Sequence, residues 1–427
     1  PEIFTAQNSR FGMAAYGKWH LGGTANAPSV RGGWPEFAGI RRGGVTNYTL
    51  WDKLENGTTT EDVTSYTTTD QVNEGTDFIV SKGTNPWFLW MAFNAPHTPF
   101  HSPPSNLAPV GGYSTSGSWH SDQYIRALEA LDTEIGRLLT VVDLNRTNVI
   151  VIGDNGTPGQ VVQAPFGNGH AKGDLYQGGI HVPLFAVGPD IRITGTTDKL
   201  VHCVDLFSTI LDLGGIDGNA ATAGFSTHSQ SLLPIFHGTD TASRCVIAEK
   251  FGDNNGNGRA LISDVYPDYK LIIFGDKDDI SDTPIFELYN LPSDANEQTN
   301  LLLSPLSNEA QSAYDHLLAK DLALGGGYSD SPAGSFDTIY IELPNRTGPT
   351  SPPNNLSVNP TAIIIDGQSA SFVAREDSSG TAQRYWVKCS LTPGTGGPFT
   401  SATVTFPNNP NTGGARSFNS TQIIANP

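Results

Sequence analysis

The sequence is poor in cysteine and in basic residues and has no long apolar run, and each shortage excludes a class of protein. Its three cysteines, Cys203, Cys245 and Cys389, form no C-x-x-C pair, which argues against a disulfide framework, a zinc ribbon or a thioredoxin-like site. It has 24 Lys and Arg against 42 Asp and Glu, a net charge of −18, so a nucleic-acid partner is not expected. No apolar run approaches the roughly 18 residues of a membrane span, so none is predicted.

The rest of the composition is that of a large folded protein. The chain has 427 residues, 37% of them hydrophobic, which predicts two or three domains with at least one sizeable core. It begins at Pro1 without a Met or a signal-like apolar segment. We therefore expect a processed product, a fragment, or part of a longer sequence.

Two regions differ in pattern and in charge. The first 330 residues alternate strand-like and helix-like segments, which predicts an α/β sheet flanked by helices. Within them the apolar run at residues 148–153 predicts a central parallel strand. From residue 331 onward five acidic residues balance five basic ones, so the net charge lies in the first region. We predict an α/β domain at 1–330 with a small subdomain from about 245, an extended linker at 331–360, and a β-sandwich-like module at 361–427.

Two short segments place basic side chains where an anion can bind. Lys18 and His20 are two residues apart, and in an extended segment both project to one face. His97 lies on a proline-stiffened loop that follows an aromatic strand at residues 87–93. Each arrangement is also common as a surface pair or a structural turn.

Asp154 and Asn155 follow the apolar strand and offer a carboxylate and an amide oxygen. Ligands in α/β sheets bind beyond the carboxyl ends of strands, and such oxygens suit Ca²⁺. The alternative interpretation is an Asx turn. Lys172, in the segment GHAKG, is equally a candidate site residue or a loop residue.

Taken in order, six segments resemble the sulfatase family of the alkaline-phosphatase-like superfamily. The segments are residues 17–22 (GKWHLG, the second sulfatase signature), 96–99 (the PHxP loop), 153–156 (the DNG turn), 172–183 (KGDLYQGGIHVP, with Gln177 and His181 in place of Glu and Arg), 204–216 and 287–301. The resemblance covers about residues 1–325. It implies a sulfatase-like sheet flanked by helices, with Lys18, His97 and Lys172 on the sulfate ester. It also implies that His20 holds the nucleophile and that Asp154 and Asn155 bind Ca²⁺.

The sequence departs from the family pattern in two elements. Such sulfatases have a first strand that ends in an Asp-Asp metal pair, then Cys- or Ser-x-Pro-Ser-Arg, whose first residue becomes the formylglycine nucleophile. Neither is found in these 427 residues, and residues 102–106 (SPPSN) lack the Arg. We therefore expect the first central strand to be missing. Ca²⁺ should bind weakly or not at all, because it prefers six to eight oxygen ligands.

Three hypotheses for function follow from the resemblance. The first is a secreted, sulfatase-derived chain that is catalytically incompetent and serves assembly, with filaments formed by strand exchange. Residues 336–343 and 417–425 are candidate donors, or ordinary strands of the C-terminal module. The second is a Ca²⁺-dependent sulfatase acting on sulfated glycans or aryl sulfates, with an N-terminal part that is cleaved or missing and survives as a companion fragment. The third is a related phosphatase or phosphodiesterase.

Smaller signals concern a second ion and glycosylation. Asp253, Asn255, Asn257 and Asp264 have the oxygen spacing of a calcium loop, although a Gly/Asn hairpin turn beside strands at 259–262 and 269–274 fits as well. N-x-S/T sequons suit a secreted or cell-surface glycoprotein. The candidate acceptors are Asn47, Asn56, Asn145, Asn345, Asn355 and Asn419.

Overall fold

The computed structural model describes residues 1–7, 10–22, 27–108, 119–167, 169–217, 227–251, 257–275 and 284–324, together with strands of the C-terminal region. The chain separates into two compact units, residues 1–244 and 245–427. The finer division into a domain, a linker and a C-terminal module stays a prediction.

The first unit alternates strands and helices. Its strands are β1 (Gly12–Lys18), β2 (Glu36–Ile40), β3 (Trp51–Glu55), β4 (Thr58–Val63), β5 (Trp87–Ala92), β6 (Val149–Ile152) and β7 (Leu184–Val187). Its helices are α1 (Glu2–Ala6), α2 (Ala27–Val30), α3 (Thr67–Lys82), α4 (Trp119–Leu139), α5 (Gln177–Ile180), α6 (Asp205–Leu213) and α7 (Leu233–Phe236).

Strand β1 lies inside a five-stranded sheet with the order β4-β3-β2-β1-β5. It runs parallel to β2 and β5, whereas β3 and β4 add antiparallel strands at one edge. Successive β1 side chains point to opposite faces, as the period of two requires. Met13 packs with Phe4 of α1 on one face, and Ala14 packs with Val72 of α3 on the other. Both faces of this sheet are therefore covered by helices.

The pairing of strand β6 differs from the predicted central parallel strand at residues 148–153. Strand β6 pairs antiparallel with β7 in a separate two-stranded sheet, and it is not a central parallel strand among the described residues. Ile150 and Ile152 pack against Leu206 and Phe236, whereas Val151 points the other way and is 39% exposed. A continuous apolar run indicates a buried strand but does not specify the direction of its neighbour.

Helix α6 packs against both sheets of the first unit. Its Leu211 belongs to the core that holds Met13 of β1, and its Leu206 belongs to the core that holds Ile150 of β6. Ile210 contacts both cores. Both sheets therefore pack against the same helix. Strands β5 and β6 each have one side without a strand partner in the part of the chain that is described.

The second unit contains two antiparallel sheets. One is β8 (Cys245–Lys250), β9 (Gly258–Ser263), β10 (Tyr266–Phe274) and β11 (Ile285–Asn290), and α8 (Asn308–Ala323) packs against it through Leu317. The other comprises β12 (Thr338–Leu343), β13 (Ala362–Ile365), β14 (Gln368–Asp377), β15 (Tyr385–Ser390), β16 (Ser401–Phe406), β17 (Gly414–Asn419) and β18 (Ile423–Ala425). Its strand order is β17-β16-β13-β14-β15-β12-β18. The predicted class, α/β with a C-terminal β-module, is confirmed.

None of the helices in the described ranges combines the length and the apolar character that crossing a membrane would demand.

The contact between β1 and its neighbours leads to a prediction about stability. A Cβ on Gly17, which has φ +109°, would lie 2.0 Å from the Ala92 carbonyl oxygen. We expect Gly17→Ala to lower the free energy of unfolding by roughly 3–5 kcal/mol, measured by urea denaturation, because the strands must separate. The matched control is Gly136→Ala in α4, because Gly136 has open space around it. This substitution should raise the free energy of unfolding by about 0.5–1 kcal/mol. Equal midpoints for the two variants would contradict this account.

Candidate functional site

The candidate residues follow the carboxyl ends of three strands. Lys18 is the last residue of β1, His97 follows β5 by five residues, and Asp154 follows β6 by two. Because β1 and β5 are parallel neighbours, their carboxyl ends lie at the same edge of the sheet. This edge is where α/β sheets bind ligands.

An ion pair connects the two sheets at this edge. Lys18 Nζ lies 3.8 Å from Asp154 Oδ2, with 22% and 73% of the respective side chains exposed. The pair brings a residue of the predicted sulfate site and a residue of the predicted metal site together. Both side chains remain accessible to a ligand.

The two histidines pack against one pair of glycines. A Cβ on Gly43 would lie 2.6 Å from the His20 ring, and one on Gly44 would lie 3.0 Å from His97 Nδ1. The Gly43–Gly44 segment therefore packs against both imidazoles. His20 lies beyond the end of β1 with φ +53°, so the period-two argument does not position it.

Hydrogen bonds fix the orientation of His97. Its Nδ1 lies 2.9 Å from the Thr98 carbonyl oxygen, which only accepts, so Nδ1 carries the proton and Nε2 is left for a ligand. The buried Tyr48 hydroxyl lies 2.8 Å from the carbonyl oxygens of both Asn94 and His97. Burial raises the pKa of Tyr48, so the hydroxyl stays protonated and donates. No sequence pattern indicates this role, because Tyr48 is notable in the sequence only as the middle residue of a sequon.

Lys172 lies beside the turn that carries Asp154. Its backbone N–H donates to the Thr157 carbonyl at 2.9 Å, and the Gly156 N–H donates to the Gly179 carbonyl at 2.8 Å. A Cβ on Gly156 would lie 1.9 Å from the Gly178 carbonyl oxygen, so only glycine fits there. The segment around Lys172 and the DNG turn therefore form one packed unit.

The described residues form only part of a calcium site. Asp154 offers a carboxylate, and Asn155 donates its amide N–H to the Gly156 carbonyl at 3.0 Å, which leaves its side-chain oxygen to accept. No group of three or more His, Cys, Asp or Glu suited to a metal occurs in the ranges described. Two oxygens do not fill the six to eight positions around Ca²⁺, so these residues do not hold the ion by themselves.

The structure does not bring together the two described residues of the predicted second calcium loop. Asn257 and Asp264 lie at opposite ends of β9, a strand of six residues that spans about 20 Å. Asp253 and Asn255 lie outside the described residues. The hairpin alternative agrees with the antiparallel pairing of β9 with β8 and β10.

Three of the predicted glycan acceptors, Asn47, Asn56 and Asn145, are exposed, as glycosylation requires. Asn345 and Asn355 fall outside the described residues, and Asn419 ends β17.

Two arginines that the sequence analysis overlooked lie next to His20. Arg41 and Arg42 follow β2 and line an open pocket with His20 and Gly22. A basic pair directly after a strand that pairs with β1 was the signal that could have identified them.

Comparison with known proteins defines the family. A sequence model of the sulfatase family matches residues 2–216, about half of the chain, and the chain belongs to that family. It is 26% identical over 250 residues to an Escherichia coli protein described as uncharacterized sulfatase YdeN, covering 51% of this chain and 43% of that protein. It is 28% identical over 208 residues to human N-acetylglucosamine-6-sulfatase, covering 40% and 36%. The chain thus spans less than half the length of these relatives.

Solved structures show the same fold. The chain is similar to Ps i-CgsB, solved in complex with a neocarrahexaose, with a TM-score of 0.61, 18% identity, and coverage of 75% of this chain and 72% of that one. It is also similar to the PsFucS1 sulfatase from Pseudoalteromonas sp., with a TM-score of 0.54, 16% identity, and coverage of 76% and 72%. These likenesses confirm the predicted sulfatase-like architecture.

The packing of His101 behind the His97 loop makes the stability of the fold depend on pH. His101 stacks on Tyr48 with ring centroids 3.8 Å apart, donates from Nδ1 to the Pro99 carbonyl, and accepts at Nε2 from the Tyr66 hydroxyl. Burial lowers the pKa of His101 and raises that of Tyr66 to about 12, so the imidazole is neutral and the phenol donates.

The unfolded state takes up a proton near pH 6.5, where the folded imidazole resists it, so stability falls as pH drops through that range. We expect the urea midpoint of the unaltered chain to decrease more between pH 7 and pH 5 than that of His101→Gln. All other titrating groups are shared by the two proteins, so the difference isolates His101. Parallel curves for the two proteins would count against the assignment.

Proposed function

We propose that this chain supplies the cationic, substrate-binding part of the active site of a sulfate-ester hydrolase. The Lys18–Asp154 pair across two sheets carries the proposal, because it joins the anion-binding and metal-binding residues that the family resemblance implies. The placement of His20 and His97 on the same glycine pair supports it. Membership of the sulfatase family supplies the reaction class.

The side chains suit the charge changes of ester cleavage. In hydrolysis a nucleophile forms a bond to sulfur, the bond from sulfur to the ester oxygen breaks, and that oxygen gains negative charge or a proton. Lys18 and Lys172 stabilise the sulfate oxygens as fixed cations. His97 has Nε2 directed away from its Thr98 hydrogen bond, so it can contact the sulfate or serve as the proton donor. His20, at the end of β1, holds the nucleophile.

We further propose that the nucleophile and the remaining calcium ligands come from polypeptide outside these 427 residues. The sequence contains no Cys- or Ser-x-Pro-Ser-Arg segment. Strands β5 and β6 both end at the site, and each has a side without a strand partner in the described ranges, where a companion strand can pair. The chain alone is then catalytically incompetent, and Ca²⁺ binds tightly only when the companion segment adds its carboxylates.

Assembly through strand exchange is the second candidate. The unpaired sides of β5 and β6 favour it, since a strand from a second copy can pair there. Its proposed donors are already in use, because β12 pairs with β15 and β18 in the C-terminal sheet. The companion-segment proposal is therefore preferred. Location outside the cell and glycosylation complete the proposal and rest on the exposed sequons.

The binding half of the proposal is testable on this chain alone, because it needs no nucleophile. We expect isothermal titration calorimetry to detect inorganic sulfate, and Lys18→Met to weaken its binding at least about tenfold by removing a charge-assisted contact. Lys199→Met is the matched control, since Lys199 pairs with Asp240, has no role in the proposed site and should leave sulfate binding unchanged. Equal affinity in unaltered and Lys18→Met protein, or no binding at all, would refute the proposed site.

The catalytic half requires the native protein. A preparation shown by intact mass to contain only this chain should not hydrolyse p-nitrophenyl sulfate, with or without Ca²⁺. The native protein, with any companion polypeptide, should hydrolyse it and lose activity when EGTA removes the metal. Turnover by the lone chain would overturn the companion-segment proposal, and inactivity of the native protein on both aryl and glycan sulfates would overturn the sulfatase proposal.

A further inference from the structure

A basic pocket adjoins the proposed sulfate site on the side of β2. Its walls are formed by His20, Gly22, Arg41 and Arg42. Arg42 is exposed and Arg41 is partly exposed. None of the roles assigned to Lys18, His97 and Lys172 uses this pocket.

Backbone pairing holds the arginines beside the site. The Trp19 N–H donates to the Ile40 carbonyl at 2.9 Å, and the His20 N–H donates to the Arg41 carbonyl at 3.1 Å. The pairing of β1 with β2 therefore continues past the end of both strands. Because the next two residues, Gly43 and Gly44, pack on the imidazoles, the arginine pair has a defined position relative to both histidines.

The charges along this edge form a row. Neighbouring strands are about 4.8 Å apart, and from β2 to β1 the strands end in the arginine pair and then in Lys18 and His20. Asp154, which follows β6 in the other sheet, pairs with Lys18. Lys18, Arg41 and Arg42 form a local concentration of positive charge in a chain with a net charge of −18, and an anion bound among them would lower their mutual repulsion.

We propose that Arg41 and Arg42 form a second anion-binding subsite, and that the substrate is a sulfate ester carrying another anionic group on the same molecule. This inference rests on the proposed function, because it places the ester to be cleaved at Lys18 and His97. Guanidinium groups bind sulfate or carboxylate oxygens in bidentate geometry, so the subsite selects for a second sulfate or a carboxylate. A monosulfated aryl ester would occupy only the first site.

The test compares two probes on the full chain by calorimetry, N-acetylglucosamine 6-sulfate and glucosamine N,6-disulfate, because the amide of the first is neutral and only the second carries another anionic group. We expect the disulfate to bind about tenfold more tightly than the monosulfate, and Arg42→Gln to reduce that ratio to about twofold or less while leaving the monosulfate affinity unchanged. Arg146→Gln is the matched control, because Arg146 is exposed and precedes β6 at the opposite end of that strand. It removes the same charge and should preserve the ratio.

The other outcomes separate the two proposals. Equal binding of the two probes by the unaltered chain overturns the second subsite and leaves the sulfate site intact. An equal loss of both probes in Arg42→Gln, with the ratio preserved, assigns Arg42 to the first sulfate and also overturns the inference. Failure of the chain to bind either probe overturns the proposed function and the inference together. A ratio that falls equally in Arg146→Gln attributes the selectivity to net charge and overturns the subsite.

Discussion

At Gly17 of β1 and Gly39 of β2 the backbone leaves no room for a Cβ, and the geometry of the candidate site depends on this constraint. Gly17 lies opposite Gly39 on one side and Ala92 on the other, with carbonyl oxygens where Cβ atoms would be. The residues that bind the proposed substrate come directly afterwards on these strands. A wider spacing would separate the cations of β1 from the His97 loop.

Helix α6 and the Lys18–Asp154 pair hold the two sheets of the first unit together in different ways. The helix buries apolar side chains against both sheets, which is the larger and non-directional contribution. The ion pair is partly exposed, and pairs of this kind contribute at most about 1 kcal/mol. Apolar packing therefore sets the arrangement of the sheets, and the ion pair places charge at the ligand-binding edge.

The sequence predicted the fold and much of the site because several motifs occur in a fixed order, and together they identify the family. The position of a strand within its sheet was harder to predict from the sequence, because the apolar run of β6 fits a parallel or an antiparallel neighbour equally well. Tyr48 and Arg42 were missed for a different reason. The role of Tyr48 arises from the Asn94 and His97 carbonyl groups, and no local pattern records these contacts. Arg42 belongs to a basic pair that the sequence does show, but only the pairing of the strands places this pair beside His20.

The Lys18–Asp154 pair also couples the binding of an anion at Lys18 to the binding of a cation at Asp154. A sulfate that takes a share of the Lys18 charge weakens its attraction for Asp154, and a cation on Asp154 releases Lys18 for sulfate. Linkage requires that each ligand change the affinity of the other by the same factor. In the proposed site, anion and metal would thus bind with positive cooperativity through a single lysine, although neither touches the other's ligands.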